Sequence, residues 1–234
     1  MDITPDTIIY FQWKWIVINA TLVNTWVIMS SITVICWLIT RNISYDPKKI
    51  PRFQHALEVI VGYFRNQLFA IIEDNPSPFI PFLGTLFLYI SLSNFFSFIP
   101  FYYPPTGSLS TTAALASCVF LAVPFFGIRK LGIKKYLMQY FQPTFIIFPF
   151  KIIGEITRTL ALAIRLFGNM MSGTLVILVL VSVAPLFLPI LVQVLGLLIG
   201  QIQAYIFAIL ATIFIASGMR VQIKKKGEKQ KWIT

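Results

Sequence analysis

The chain has 234 residues, of which 57% are hydrophobic and only 12% charged, with a mean hydropathy of +0.81. A soluble domain carries roughly a quarter of its residues as charges, so a water-facing surface cannot be built from this composition, and soluble enzyme folds, nucleic-acid domains and disulfide scaffolds are excluded. The net charge of +11 is not a polyanion-binding surface either, because the basic residues cluster at the ends of apolar segments. No Asp, Glu, Lys, Arg or His lies between Lys14 and Arg41, between Asp74 and Arg129, or between Arg165 and Arg220. A bilayer crossing needs about 20 apolar residues, so these gaps predict an all-α integral membrane protein with about five transmembrane helices and one amphipathic surface helix.

The stretch 1–14, with Asp2 and Asp6 and no basic leader, does not look like a secretory signal. The first span is predicted over 15–40, flanked by Trp13, Trp15 and Trp37 as interfacial aromatics. Over 53–74, Leu57, Ile60, Val61, Phe64, Leu68, Ile71 and Ile72 recur at three- and four-residue steps, with Gln54, His55, Glu58, Arg65, Asn66 and Glu73 on the other face. That is the pattern of a helix lying on the membrane surface. Pro76 and Pro78 stop it. A second span is predicted over 79–99, ending at Pro100, and a third over 113–128, ending at Arg129, Lys130, Lys134 and Lys135. Tyr136 to Phe150, with Pro143 and Pro149, holds about half a bilayer's worth of helix and reads as interfacial or re-entrant.

Two long helices follow, over 150–184 and 188–219, each roughly 50 Å at 1.5 Å per residue. They exceed the ~30 Å hydrocarbon core and must tilt as a hairpin. The positive-inside rule places the N-terminus outside and the basic tail, 220–234, in the cytoplasm near anionic headgroups. Cys36 and Cys118 sit in apolar segments with no neighbouring His or Cys, so neither a disulfide nor a metal is expected.

The chemistry concentrates in Gly154 to Gly173, GEITRTLALAIRLFGNMMSG. At 100° per residue, Arg158 lies about 20° from Arg165 around the axis, Asn169 about 40°, Ser172 about 20° the other way and Glu155 about 80°. One helix face is therefore polar and positive. Intramembrane charges cost about 2.5 to 3.5 kcal/mol each on insertion scales and mark an ion or substrate path. Glu155 can reach Arg158 at i,i+3, whereas Arg165, effectively never deprotonated, has no carboxylate of its own and calls for one on another protein. The structural alternative is an arginine satisfied by Asn169, Gln203 and water. The last helix carries Gly196, Gly200, Ala204 and Ala208 at four-residue steps, a small-residue face for close helix approach. Gln193, Gln201 and Gln203 in the same run, like Asn94 in the second span, serve equally as helix-joining amides or as channel lining.

From Pro47 to Gly218 the sequence resembles subunit a of the F-type rotary ATP synthases, most specifically in RLFGN at Arg165 to Asn169, IQAYIF at Ile202 to Phe207 and SNFFSFIP at Ser93 to Pro100. The resemblance implies an ion-translocating stator subunit without a cofactor or nucleotide site, facing a rotor ring of subunit c carboxylates. It also implies contact with the peripheral stalk subunit b and the other subunits of the complex, in a bacterial inner membrane or a thylakoid. In that family the arginine matching Arg165 faces the ring, and the glutamine matching Gln203 lies beside it. Thr174 stands where many relatives have an acid or histidine, Gly196 where some have glutamate, and PTGS at Pro105 to Ser108 where a PTxD-like sequence is common. Glu155 with Arg158 looks more like sodium-coupled or N-type relatives. Protons and sodium are therefore both candidates, and Asn169, Ser172, Thr174 and the glutamines could line a path for a hydrated ion. Two rival classes are an integral-membrane enzyme, weakened by a sole histidine at His55 and no nucleophile or metal cluster, and a free-standing transporter or channel.

Overall fold

The computed structural model describes residues 9–13, 16–41, 52–71, 78–99, 102–140, 147–184 and 187–220. An antiparallel ribbon of β1 (Ile9–Trp13) and β2 (Ile16–Asn19), pairing Trp13 with Ile16 and Ile9 with Asn19, precedes the helices. These are α1 (Ala20–Arg41), α2 (Arg52–Ile71), α3 (Ile80–Phe96), α4 (Leu109–Leu131), α5 (Ile133–Tyr140), α6 (Ile147–Val183) and α7 (Leu188–Arg220). A single 3-10 turn, Pro105–Gly107, joins α3 to α4. Four of the helices, α1, α4, α6 and α7, are long and apolar enough to cross a membrane, and α3 is apolar but shorter.

The first helix starts at Ala20 rather than at Trp15. Ile16, Val17 and Ile18 are β-branched side chains that fit an extended ribbon better than a helix. The third long helix starts at Leu109, before the expected Ala113, because Ser108 is extended (φ −97°, ψ 135°) and the Thr112 hydroxyl donates to the Ser108 and Leu109 carbonyls, closing the first turn. It runs through Arg129 and Lys130, cations that suit the negative end of a helix dipole. Gly132, at φ 80°, then ends it with its N–H on the Ile128 carbonyl at 2.8 Å. The stretch expected to be one half-span from Tyr136 to Phe150 is divided between α5, whose eight residues reach only about 12 Å, and the first turn of α6. Residues 1–8, 14–15, 72–77, 141–146 and 221–234 lie outside the described residues, and with them the predicted outer N-terminal stretch, the helix-stopping Pro76 and the basic tail.

The core is a bundle of α3, α4, α6 and α7, in which α3 packs on α7, α4 on α6, and α6 on both α4 and α7. Leu83 and Ile90 of α3, Val119 of α4, Leu162 and Leu166 of α6, and Phe207 and Ile215 of α7 are sealed in it. Ala116, Ala204 and Ala211 sit at the crossings, where a methyl lets the backbones approach. The α1 helix packs only loosely, on α3 and the α3–α4 connection, and α2 packs on α7, burying Leu68 while Val59, Val61 and Tyr63 face outward. Trp26, Leu121, Phe150, Val179 and Leu191 are likewise exposed. In water this would be untenable, but in hydrocarbon an outward apolar belt is the stable arrangement.

Candidate functional site

Leu162, Ala163 and Leu166 form the buried face of α6, so the register of the helix turns Ile164 and Arg165 outward on the opposite side. Arg165 is the nineteenth of 37 residues, halfway along a helix roughly 55 Å long. It is exposed, and it makes no hydrogen bond or ion pair with any of the described residues. The alternative in which Asn169 and Gln203 satisfy it within the chain is therefore not what the structure contains. Gln203 lies on α7, 8% exposed, with its amide nitrogen buried and unpartnered. A buried unsatisfied donor costs about 1 to 3 kcal/mol. An exposed cation and an unused amide donor thus face the same problem, the lack of an acceptor.

What fixes α7 is a set of polar clasps to α3. Asn94 Nδ2 donates to the Gly200 carbonyl at 2.6 Å, and Asn94 Oδ1 accepts from Thr106 Oγ1 at 3.5 Å, which in turn lies 3.1 Å from Ser93 Oγ. One turn along, Ser91 Oγ donates to Gln201 Oε1 at 2.5 Å while Gln201 Nε2 donates to the Ser91 carbonyl at 3.0 Å. Gln193 Nε2 donates to the carbonyls of Ser97 and Phe98, both at 3.3 Å. Asn94, Gln193 and Gln201 are therefore helix-joining amides, and Gln203 is the one in the run with an uncommitted donor. Gly200 and Ala204 hold the packing positions predicted for them: a Cβ at Gly200 would meet the Asn94 side chain at 3.0–3.2 Å, and Ala204 is fully buried. Gly196 departs from that stripe. It is exposed, with nothing within 4 Å of a Cβ, because α6 and α7 have separated at its level.

The separation opens a chamber of about 320 Å³ between α3, α6 and α7, with Asn94, Ser97, Asn169, Ser172, Thr174, Gln193 and Gly196 in its wall. On the other side of Arg165 along α6, a smaller polar niche of about 30 Å³ lies between α4, α6 and α7, lined by Glu155, Arg158, Thr159, Phe214 and Ser217. The Arg158 guanidinium lies over the Phe214 ring at 5.7 Å. It therefore uses an aromatic face on α7, a contact suited to a planar guanidinium, instead of the ion pair with Glu155 expected from their spacing. The two cavities flank Arg165 along the helix, and neither includes it.

Thr106, Ser93 and Ser91 were not legible as site residues, nor were Phe214 and Ser217, because each acquires a role only from a partner on another helix. The signal available was the pairing of a glycine, Gly200, with an asparagine, Asn94, in separate apolar runs. Outside the helices, burial holds the Tyr102 phenol above its ordinary range, so it stays neutral, and its hydroxyl is buried without a partner.

Comparison with known proteins adds the following. The profile of a family described as ATP synthase A chain matches residues 22–216. The chain is 52% identical over 227 residues to a protein of Crocosphaera subtropica named ATP synthase subunit a 1, covering 97% of this chain and 98% of that one. It is 55% identical over 221 residues to ATP synthase subunit a 2 of Acaryochloris marina, covering 94% of each. It is 46% identical over 217 residues to ATP synthase subunit a of Nitrosospira multiformis, covering 93% and 86%.

Proposed function

The chain belongs to the ATP synthase A chain family, a multi-pass component of the membrane sector with the ion-translocating stator role, and from that premise we propose how its residues perform it. Two aqueous half-channels reach a ring of rotor carboxylates from opposite sides of the membrane, with Arg165 between them. The observation that carries this reading is that Arg165 is exposed at the middle of α6 without a partner among the described residues, with a polar cavity on either side of it.

In the proposed orientation the N-terminus is outside, and α1, α3, α4, α6 and α7 make five crossings. Arg41, Arg129 and Lys130 at the ends of α1 and α4 then lie on the cytoplasmic side. The chamber of Asn169, Ser172 and Thr174 opens toward the outer half, and the niche of Glu155 and Arg158 toward the inner half. A carboxylate of the ring arriving opposite Arg165 is favoured in its ion-free, anionic form, because a fixed cation in a low-dielectric site lowers the energy of an adjacent anion by several kcal/mol. The bound ion must therefore leave into one half-channel before another enters from the other, and back-slip is blocked. Each charge carried through the full potential supplies about 2.3 kcal/mol per 100 mV, and several per ATP drive rotation.

Gln203 is the second ring-facing group, its amide donor reserved for a carboxylate supplied in the assembly. The chain itself carries out no nucleotide chemistry, and its partners are the subunit c ring, the peripheral stalk subunit b and the remaining subunits. The ion is a proton or sodium, chosen by the ligands on the ring.

The test is Arg165→Ala in the assembled complex. Ion-coupled ATP synthesis is abolished while the complex still assembles, and Arg165→Lys is severely impaired because a compact ammonium lacks the planar fork. Near-normal coupled synthesis by Arg165→Ala at normal assembled levels overturns the proposal.

A further inference from the structure

The outer chamber has a lining whose chemistry is more particular than its polarity. Its walls carry six polar side chains, Asn94, Ser97, Asn169, Ser172, Thr174 and Gln193, and none of its lining residues bears a charge. Four of the six have their hydrogen-bond donors committed to main-chain carbonyls. Ser172 Oγ donates to the Asn169 carbonyl at 3.1 Å and Thr174 Oγ1 to the Met170 carbonyl at 3.0 Å. Gln193 Nε2 divides its two hydrogens between the Ser97 and Phe98 carbonyls, and Asn94 Nδ2 holds the Gly200 carbonyl. A carbonyl oxygen can be approached only by a donor, so the amide orientations of Gln193 and Asn94 are fixed by their partners.

A hydroxyl that has given its hydrogen to the preceding turn, or an amide that has given its NH₂ to a neighbouring helix, has only oxygen lone pairs left to offer. Ser97 and Asn169 have side chains uncommitted to any described residue and can turn an oxygen inward. The wall is therefore predominantly an acceptor surface. Acceptor oxygens orient water with its hydrogens toward the wall and its own oxygen toward the interior, which suits a hydrated cation and disfavours an anion. The volume of about 320 Å³ holds on the order of ten waters at ~30 Å³ each, enough for a small monovalent ion with its first hydration shell.

We propose that this chamber is a cation-retaining vestibule, holding a hydrated monovalent cation of the sodium class on neutral side-chain oxygens ahead of the ring and excluding anions. The proposal rests on the stator reading for its place in transport, but its chemistry is a property of these walls alone. It makes neutral oxygens, rather than a titratable relay, the means by which ions are gathered on this side.

The experiment uses the full complex in its native membrane, with Ser172→Cys or Gly196→Cys introduced after Cys36→Ser and Cys118→Ser, since both natural cysteines are exposed. The second position keeps the test open if the first variant fails to assemble, because a side chain at 196 meets open space. Each cysteine is labelled from outside with a cationic trimethylammonium-ethyl methanethiosulfonate and, separately, an anionic sulfonatoethyl methanethiosulfonate, in sodium chloride or in choline chloride of equal ionic strength. The cationic reagent reacts about tenfold faster than the anionic one after correction for their rates with a free thiol, and sodium, not choline, slows it several-fold. Equal corrected rates for the two reagents, or equal protection by sodium and choline, overturns the proposal. Adding Arg165→Ala separates it from the stator reading: loss of coupling with labelling preference retained supports both, whereas retained coupling rejects the stator role and leaves the vestibule to be judged on its labelling.

Discussion

Arg165 and Gln203 carry opposite signatures of the same deficiency. Arg165 is at the surface, where its charge can wait for a partner at the cost of facing hydrocarbon. Gln203 is buried, with a donor that no described atom accepts. If the amide serves a ring carboxylate, removing it costs function without costing stability. Gln203→Leu is therefore expected to leave the thermal stability of the complex unchanged or slightly higher, since a buried unsatisfied donor is lost. ATP-driven ion pumping falls about tenfold, the equivalent of the ~1.5 kcal/mol at the lower end for a hydrogen bond to a charged group. A drop in stability with pumping intact would return Gln203 to the role of a packing amide, alongside Gln201 and Gln193.

At the scale of the element, the small-residue stripe of α7 divides into a packed half and an open half. Gly200 lies against Asn94 and offers it a carbonyl at 2.6 Å, whereas Gly196, one turn away, borders the chamber. Gly200→Val should force α3 and α7 apart and break the Asn94 clasp, lowering stability by about 1 to 3 kcal/mol, as overpacking does, and reducing the amount of assembled complex recovered from membranes. Gly196→Val should assemble normally. Equal recovery of the two variants would show that the clasp does not set the spacing of these helices. The α6 helix divides differently, around its circumference: Leu162 and Leu166 hold it in the bundle while Ile164 and Arg165 look out.

For the whole molecule, the outward faces of α6 and α7 are expected to meet another protein while that of α1 meets lipid. Cysteines replacing Leu160 or Ile164 on α6, and Ile202 or Ile206 on α7, all at exposed positions, should cross-link to the outer helix of a ring subunit in native membranes. Cysteines at Trp26 or Val34 on α1, also exposed, should not reach the ring. Labelling of the α6 and α7 positions by lipid-dissolved reagents alone, with no protein adduct, would favour a free-standing membrane protein and count against the ring interface. Two long helices holding one exposed arginine, with a small niche on one side and a chamber on the other, suit a half-sleeve around a moving partner better than a closed pore.

The sequence by itself determined the membrane class, the order of the helices and Arg165 as the centre of the chemistry. Charge-free runs of spanning length have one stable outcome in a bilayer, and a guanidinium halfway along such a run needs a reason to be there. It also placed Gly200 and Ala204 in a packing stripe, since a four-residue period of small side chains acts through backbone geometry alone. Only the tertiary structure decided that Gly196 leaves that stripe, that Arg158 turns to Phe214, that Gln193 and Gln201 are clasps while Gln203 is not, and that the hydroxyls of Ser172 and Thr174 present oxygens to a chamber. The physical reason is common to all of them. A polar side chain in an apolar helix has no local solvent to define its role, so its function is set by whichever acceptor or donor the neighbouring helix brings within hydrogen-bond distance, and that depends on how helices distant in sequence pack.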